Sequence, residues 1–170
     1  MNALRSPIVL GCSVVLLMAS VAVADAPERF NGRIANLSGP ASGQTWFMTM
    51  QADRFTSDEE VSDLATILAN EGEEALMSAL RDVEPAGWIR IGDRTSFHLR
   101  VIRSITTPDG VRIIRGYTDR PIQVPEVFGN MRTRRYTLGM IEIQFDAEGK
   151  GSGALLPMCK ISFTEANTIE

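Results

Sequence analysis

Residues 96–118, SFHLRVIRSITTPDGVRIIRGYT, decide the fold. Phe97, Leu99 and Val101 alternate with His98 and Arg100, the two-residue period of a strand with one apolar face. Thr107-Pro108-Asp109-Gly110 then supplies a turn, because proline presets φ, aspartate can bond the backbone two residues on, and glycine accepts a positive φ. Val111 to Thr118 returns antiparallel, as strands joined by a tight turn must. The middle of the chain is therefore a β-hairpin.

The same period continues on both sides of this hairpin. Trp88-Ile89-Arg90-Ile91 precedes it as a short strand. Asp119-Arg120-Pro121 follows it into a brief segment around Ile122 and Val124, and residues 125–135 read as a loop. Tyr136 to Phe145 is a long strand with Ile141, Ile143 and Phe145 on one side. Residues 146–151 connect it to a strand from Ala154 to Phe163, with Leu155, Cys159, Ile161 and Phe163 on one face. A turn at Glu165-Ala166-Asn167 opens a last short strand. Toward the N-terminus, residues 27–38 and 45–54 are two more strands joined by a loop at 39–43, the second alternating Trp46, Met48, Met50 and Ala52 against Phe47, Thr49, Gln51 and Asp53.

Between residues 57 and 83 the period changes to that of a helix. Ser57 with Glu60 three residues on is a capping box, and the acids from Asp58 to Glu60 complement the positive end of the helix dipole. Val61, Leu64, Ala65 and Leu68 share a face. Gly72 interrupts, and Glu73-Glu74 opens a second helix with Leu76, Ala79, Leu80 and Val83 on one side. The predicted fold is α+β: seven or eight antiparallel strands curled into a barrel or a sandwich, with an inserted two-helix hairpin at about 57–83 packed on the sheet.

The first 24 residues read as a signal peptide. Arg5 is followed by 18 uncharged residues, Pro7 to Ala24, which close on the small-x-small pattern Ala22-Val23-Ala24. An uncleaved anchor is the competing reading, since a span needs about 20 apolar residues. Cleavage after Ala24 predicts an exported chain, periplasmic or secreted, with no stable membrane span, and a single domain from 25 to 170. Losing Arg5 takes the formal net charge from −4 to −5, which argues against a nucleic-acid partner. Cys12 leaves with the signal, so only Cys159 remains and no intrachain disulfide forms. Charge is uneven: residues 25–85 hold twelve acids and four arginines, and residues 86–135 ten arginines and four acids. An acidic helical layer beside an arginine-bearing sheet accounts for this; a local anion site is the sharper alternative.

Familiar chemistry is mostly missing. His98 is the sole histidine, and Ser96 beside it on the same strand face is roughly 6–7 Å away, too far for a nucleophile and its base. One histidine and one cysteine make no zinc set. Residues 149–153, Gly-Lys-Gly-Ser-Gly, open no helix that would receive a phosphate and read as a turn. Cys159 reads as core, inert because burial raises a thiol's pKa. Trp46, Met48, Met50, Leu138 and Met140 line either a ligand cavity or, the plainer account, a core. The candidates for a polar site are Asp119, Arg120, Glu142, Arg112, Arg115 and His98, with Glu142 expected to bridge to Arg112 or Arg115 on a neighbouring strand. No cofactor is implied.

The order Ser57-Asp58-Glu59-Glu60, residues 75–80 (Ala-Leu-Met-Ser-Ala-Leu), Gly87-Trp88-Ile89-Arg90, Pro108-Asp109-Gly110, Tyr117 to Ile122, and Ile141-Glu142 with Asp146 to Gly153 resembles a group of exported bacterial proteins of unknown function. The resemblance spans most of the chain after the signal, implies export, and carries no activity. Three functions fit these observations. The leading one is a non-catalytic exported domain binding a small molecule or an envelope protein through its curved sheet. The second is an envelope or extracellular hydrolase or isomerase using a carboxylate such as Glu142 or Asp119 with arginines. The third is an assembly role through an unpaired edge strand.

Overall fold

The computed structural model describes residues 27–37, 42–93, 96–122 and 137–161. The signal peptide expected at 1–24, the segment expected around Val124, the loop expected at 125–135 and the strand expected after Asn167 lie outside the described residues. Within them the chain forms β1 (Glu28–Ala35), β2 (Thr45–Ala52), α1 (Asp58–Glu71), α2 (Glu73–Asp82), β3 (Gly87–Ile91), β4 (Phe97–Thr106), β5 (Arg112–Thr118), β6 (Leu138–Phe145) and β7 (Gly151–Cys159). The fold is α+β. Seven antiparallel strands in sequential order β1 to β7 make a nearly closed, barrel-like sheet, and the two helices pack against it.

Register sorts the side chains between the two faces. Across the rows Phe30–Met50–Ile89–Phe97 and Gly116–Ile141–Leu155, the inward positions meet in one core containing Met48, Ile89, Leu99, Ile102, Ile114 and Ile143. The opposite face of β4 and β6 presents Val101 and Leu138 to Leu68, Leu76, Met77 and Leu80 of the helices, with Tyr117 and Cys159 packed alongside. The helical insertion leaves from β2 and returns to β3, yet it covers the outside of the later strands.

Sequence explains the helix ends. Ser57 Oγ accepts from the Glu60 N–H at 3.2 Å while the Glu60 carboxylate accepts from the Ser57 N–H at 2.8 Å, which satisfies two otherwise orphaned donors. That backbone hydrogen bond, with Arg54 nearby, holds the Glu60 carboxyl below the usual carboxylate range. Gly72 separates the helices at φ 86°, a conformation that a side chain disfavours.

Two strands depart from simple alternation. A register shift between Leu99 and Val101 turns Leu99 inward and Val101 outward, so the two do not share a face as their spacing predicts. A second shift, between Leu138 and Met140 against β7, puts Leu155 in the inner core and Cys159 and Ile161 under the helices. β7 also begins at Gly151, inside the stretch that reads as a turn, and Phe163 lies outside the described residues.

Candidate functional site

Among the described residues the barrel is open along one seam: no ladder joins β7 to β1, so each of those strands keeps an unpaired edge. The sheet nevertheless curls far enough for β1 to reach side chains of β5 and β6. The Glu28 carboxylate on β1 accepts two hydrogen bonds from Arg112 on β5, at 2.8 and 3.0 Å. Arg112 Nε donates to Ser104 Oγ at 3.1 Å, and its guanidinium lies 5.6 Å from the Phe55 ring centroid. One residue pair along, the rings of Phe30 and Phe145 are 5.6 Å apart between centroids and tilted by 44°, a favourable geometry for aromatic pairs.

Beyond this junction the seam widens into a cleft of about 1120 Å³, lined by Phe30, Ile34, Trp46, Met48, Ile143 and Leu155 among others. Its origin is legible in the register. Gly32 sits opposite Met48 on β1, and Gly151 and Gly153 sit opposite Phe145 and Ile143 on β7. All three occupy inward positions where neighbouring strands carry isoleucine or methionine. Gly32 leaves room on the wall, since a Cβ there meets only Met48 Cε at 3.4 Å, whereas Gly151 and Gly153 let β7 close onto Ile143, Phe145 and the Glu142 backbone, and the strands on either side supply apolar side chains. Arg29, Arg33 and Lys150 also line the cleft, with a single acid, Glu142, that is already bridged to Arg115. The cleft joins an apolar interior to a cationic edge, the arrangement that holds an elongated apolar or amphiphilic molecule.

The six polar candidates do not converge. Asp119 accepts from Arg100 at 2.9 Å, and both side chains are largely buried. Arg100 also donates to the Val83 carbonyl at 2.8 Å, at the end of α2. Arg120 stacks over Phe97 at 5.4 Å. Glu142 bridges to Arg115, directly opposite on β5, at 2.6 Å and accepts from Gln144 at 2.9 Å. These bonds, Gln144 first and Arg115 second, hold its carboxyl below the ordinary range. Arg112 is engaged with Glu28 at the barrel junction, and His98 is exposed opposite Trp88. Among the described residues no group of three or more histidine, cysteine, aspartate or glutamate side chains could hold a metal ion.

Of the large residues considered as cavity lining, Trp46 and Met48 face the cleft. Met50 is fully buried in the inner core, and Leu138 is buried against the helices. Phe30, Ile34, Leu155 and the three glycines escape a reading by motif. The signal that finds them is glycine recurring at alternate, core-facing positions of a strand. No family model, curated protein or solved structure matches this chain.

Proposed function

We propose that the protein is an exported, non-catalytic binding domain that takes an elongated apolar or amphiphilic ligand into the seam between β1 and β7. The observation that supports it is the cleft of about 1120 Å³, whose size suits a lipid-like chain and whose apolar walls end at a cationic rim. The reading as a carboxylate-dependent hydrolase or isomerase has less support, because Asp119 and Glu142 are each engaged by an arginine.

Trp46 lines the cleft and Trp88 lies on the outer face, so a Trp88→Phe protein reports from the cleft alone. Titration of that protein with a long-chain fatty acid is expected to shift Trp46 emission saturably. Gly32→Val projects a side chain into the space at little local cost, since a Cβ there meets only Met48 Cε at 3.4 Å. That variant is expected to fold and to lose the response. No saturable change in the unblocked protein, or an undiminished one in the blocked protein, overturns the reading.

The open edges of β1 and β7 favour a second reading, in which an extended segment of an envelope protein adds a strand and closes the barrel. A partner held this way survives Gly32→Val and is lost when proline replaces Ala35, which follows in register from the hydrogen-bonded Asn36–Gln44 pair and so turns its N–H to the open edge of β1.

A further inference from the structure

The outer face of β1, β2 and β3 carries three arginines and two aromatic rings, and the helices do not cover it. Register places Arg29, Gln51 and Trp88 in one row, Asn31, Thr49 and Arg90 in the next, and Arg33 beside Phe47 in the third. Arg29 and Arg90 approach the Trp88 ring at 5.8 and 5.7 Å, and Arg33 approaches the Phe47 ring at 4.9 Å. Ring contacts of this kind orient a guanidinium and leave N–H edges open to an anion. None of the three arginines makes an ion pair with an acid among the described residues, whereas Arg54, Arg100, Arg103, Arg112 and Arg115 each do. Glu28, next to Arg29 on β1, points the other way and pairs with Arg112; the other acids near these strands are Asp53, which Gln51 contacts at 2.6 Å, and Asp93 just past β3.

The three charges do not lie along one line. Arg29 and Arg33 stand about 13 Å apart along β1, and Arg90 lies two strands over, about 10 Å from their midpoint. A triangle of charge matches a surface of headgroups better than the single track of a linear polyanion. The same end of the β1–β2 hairpin also carries exposed apolar groups. Phe47 is 69% exposed, and Leu37, two residues past β1, is 88% exposed. Leu37 and Arg33 also border the mouth of the cleft. Fixed cations around exposed apolar side chains are complementary to an anionic bilayer, whose phosphates pair with arginine while apolar groups enter the interface. The net negative charge of the chain does not oppose this, because charges separated by more than a Debye length of about 8–10 Å are screened, and the acidic helices pack over the later strands.

We propose that this face docks on an anionic lipid bilayer, with Arg29, Arg33 and Arg90 on lipid phosphates and Phe47 and Leu37 in the headgroup region. The surface works without a ligand in the cleft, so it stands or falls separately from the binding reading.

The test is flotation of the purified protein with vesicles of phosphatidylglycerol mixed with phosphatidylcholine, and with vesicles of phosphatidylcholine alone, at low and high salt. Binding is expected to the anionic vesicles and to weaken with salt. Each arginine near the surface contributes roughly fivefold, so R29Q/R33Q/R90Q together lower affinity on the order of a hundredfold. Gly32→Val retains vesicle binding, and Arg103→Gln on the helix-facing side leaves it unchanged. Should the triple variant fail to fold by circular dichroism, Phe47→Trp in an otherwise tryptophan-free background keeps the question decidable: its emission moves to shorter wavelength on anionic vesicles alone. Equal binding to neutral vesicles, an undiminished triple variant, or binding to soluble heparin with none to vesicles overturns the proposal.

Discussion

Thr118 is fully buried, and its hydroxyl accepts from the Gly139 N–H at 2.8 Å while donating to the Arg120 carbonyl. It satisfies the backbone where the chain leaves β5. Gly139 must approach closely, because a Cβ there would lie 2.8 Å from Ile122 Cγ1 and 3.1 Å from the Thr118 hydroxyl. Thr118→Val keeps the shape and strands a buried donor, a change expected to cost about 1–3 kcal/mol in urea unfolding. Cys159 titrates in the opposite sense from a reactive thiol. Burial raises it from 9.0 to about 11, so between those values the unfolded chain loses a proton that the folded chain keeps. Its contribution to stability is therefore intact below pH 9 and declines as pH rises toward about 11. Cys159→Ala is expected to flatten that part of the stability–pH curve, and the native thiol to resist alkylation at neutral pH until denaturant is added. Reading Cys159 as inert needed only its apolar neighbours. Reading Thr118 needed the pairing of β5 with β6, which no local pattern specifies.

Irregular positions do most to define the elements. The bulge near Arg100 releases that residue from the ladder, and its guanidinium then ties Asp119 to the Val83 carbonyl at the end of α2. A cation at a helix C-terminus is favourable, so the bulge fixes where the helical hairpin sits. Asp119→Asn weakens a charge-assisted pair in a largely buried setting. It is expected to cost about 1.5–3 kcal/mol by thermal unfolding. The capping box at Ser57 and Glu60 and the break at Gly72 were legible because caps are local chemistry. The faces of Val101 and of Cys159 were not, since alternation carries no mark of an extra residue: the bulges are set by partners distant in sequence, Asp119 among them. The turn residues of 149–153 likewise hid the start of β7, because glycine belongs equally to a tight connection and to a strand position that must stay empty.

At the scale of the molecule, the sequential antiparallel sheet followed from strand period and short connections, and the helical layer from the amphipathic stretch between β2 and β3. The seam did not, because it depends on how far the sheet curls and on which face Gly32, Gly151 and Gly153 take, and both are global properties. Glu142 does bridge to Arg115, as cross-strand pairing led one to expect, but the other polar candidates scattered, because charge alone does not say which arginine reaches which acid: Arg112 binds Glu28, 84 positions earlier in the chain.

That contact has a kinetic consequence. Among the described residues every ladder joins strands that are neighbours in sequence order, while Glu28 to Arg112 and Phe30 to Phe145 span 84 and 115 positions. Closing so long a loop costs entropy that the hairpins avoid, so these contacts form after the rate-limiting step. Phe30→Leu is therefore expected to speed unfolding and leave refolding nearly unchanged in stopped-flow measurements, a φ-value close to zero. A β1 that arrives last is also the strand most easily lent to a neighbouring molecule, which makes exchange of this strand between copies the hazard to watch at high concentration.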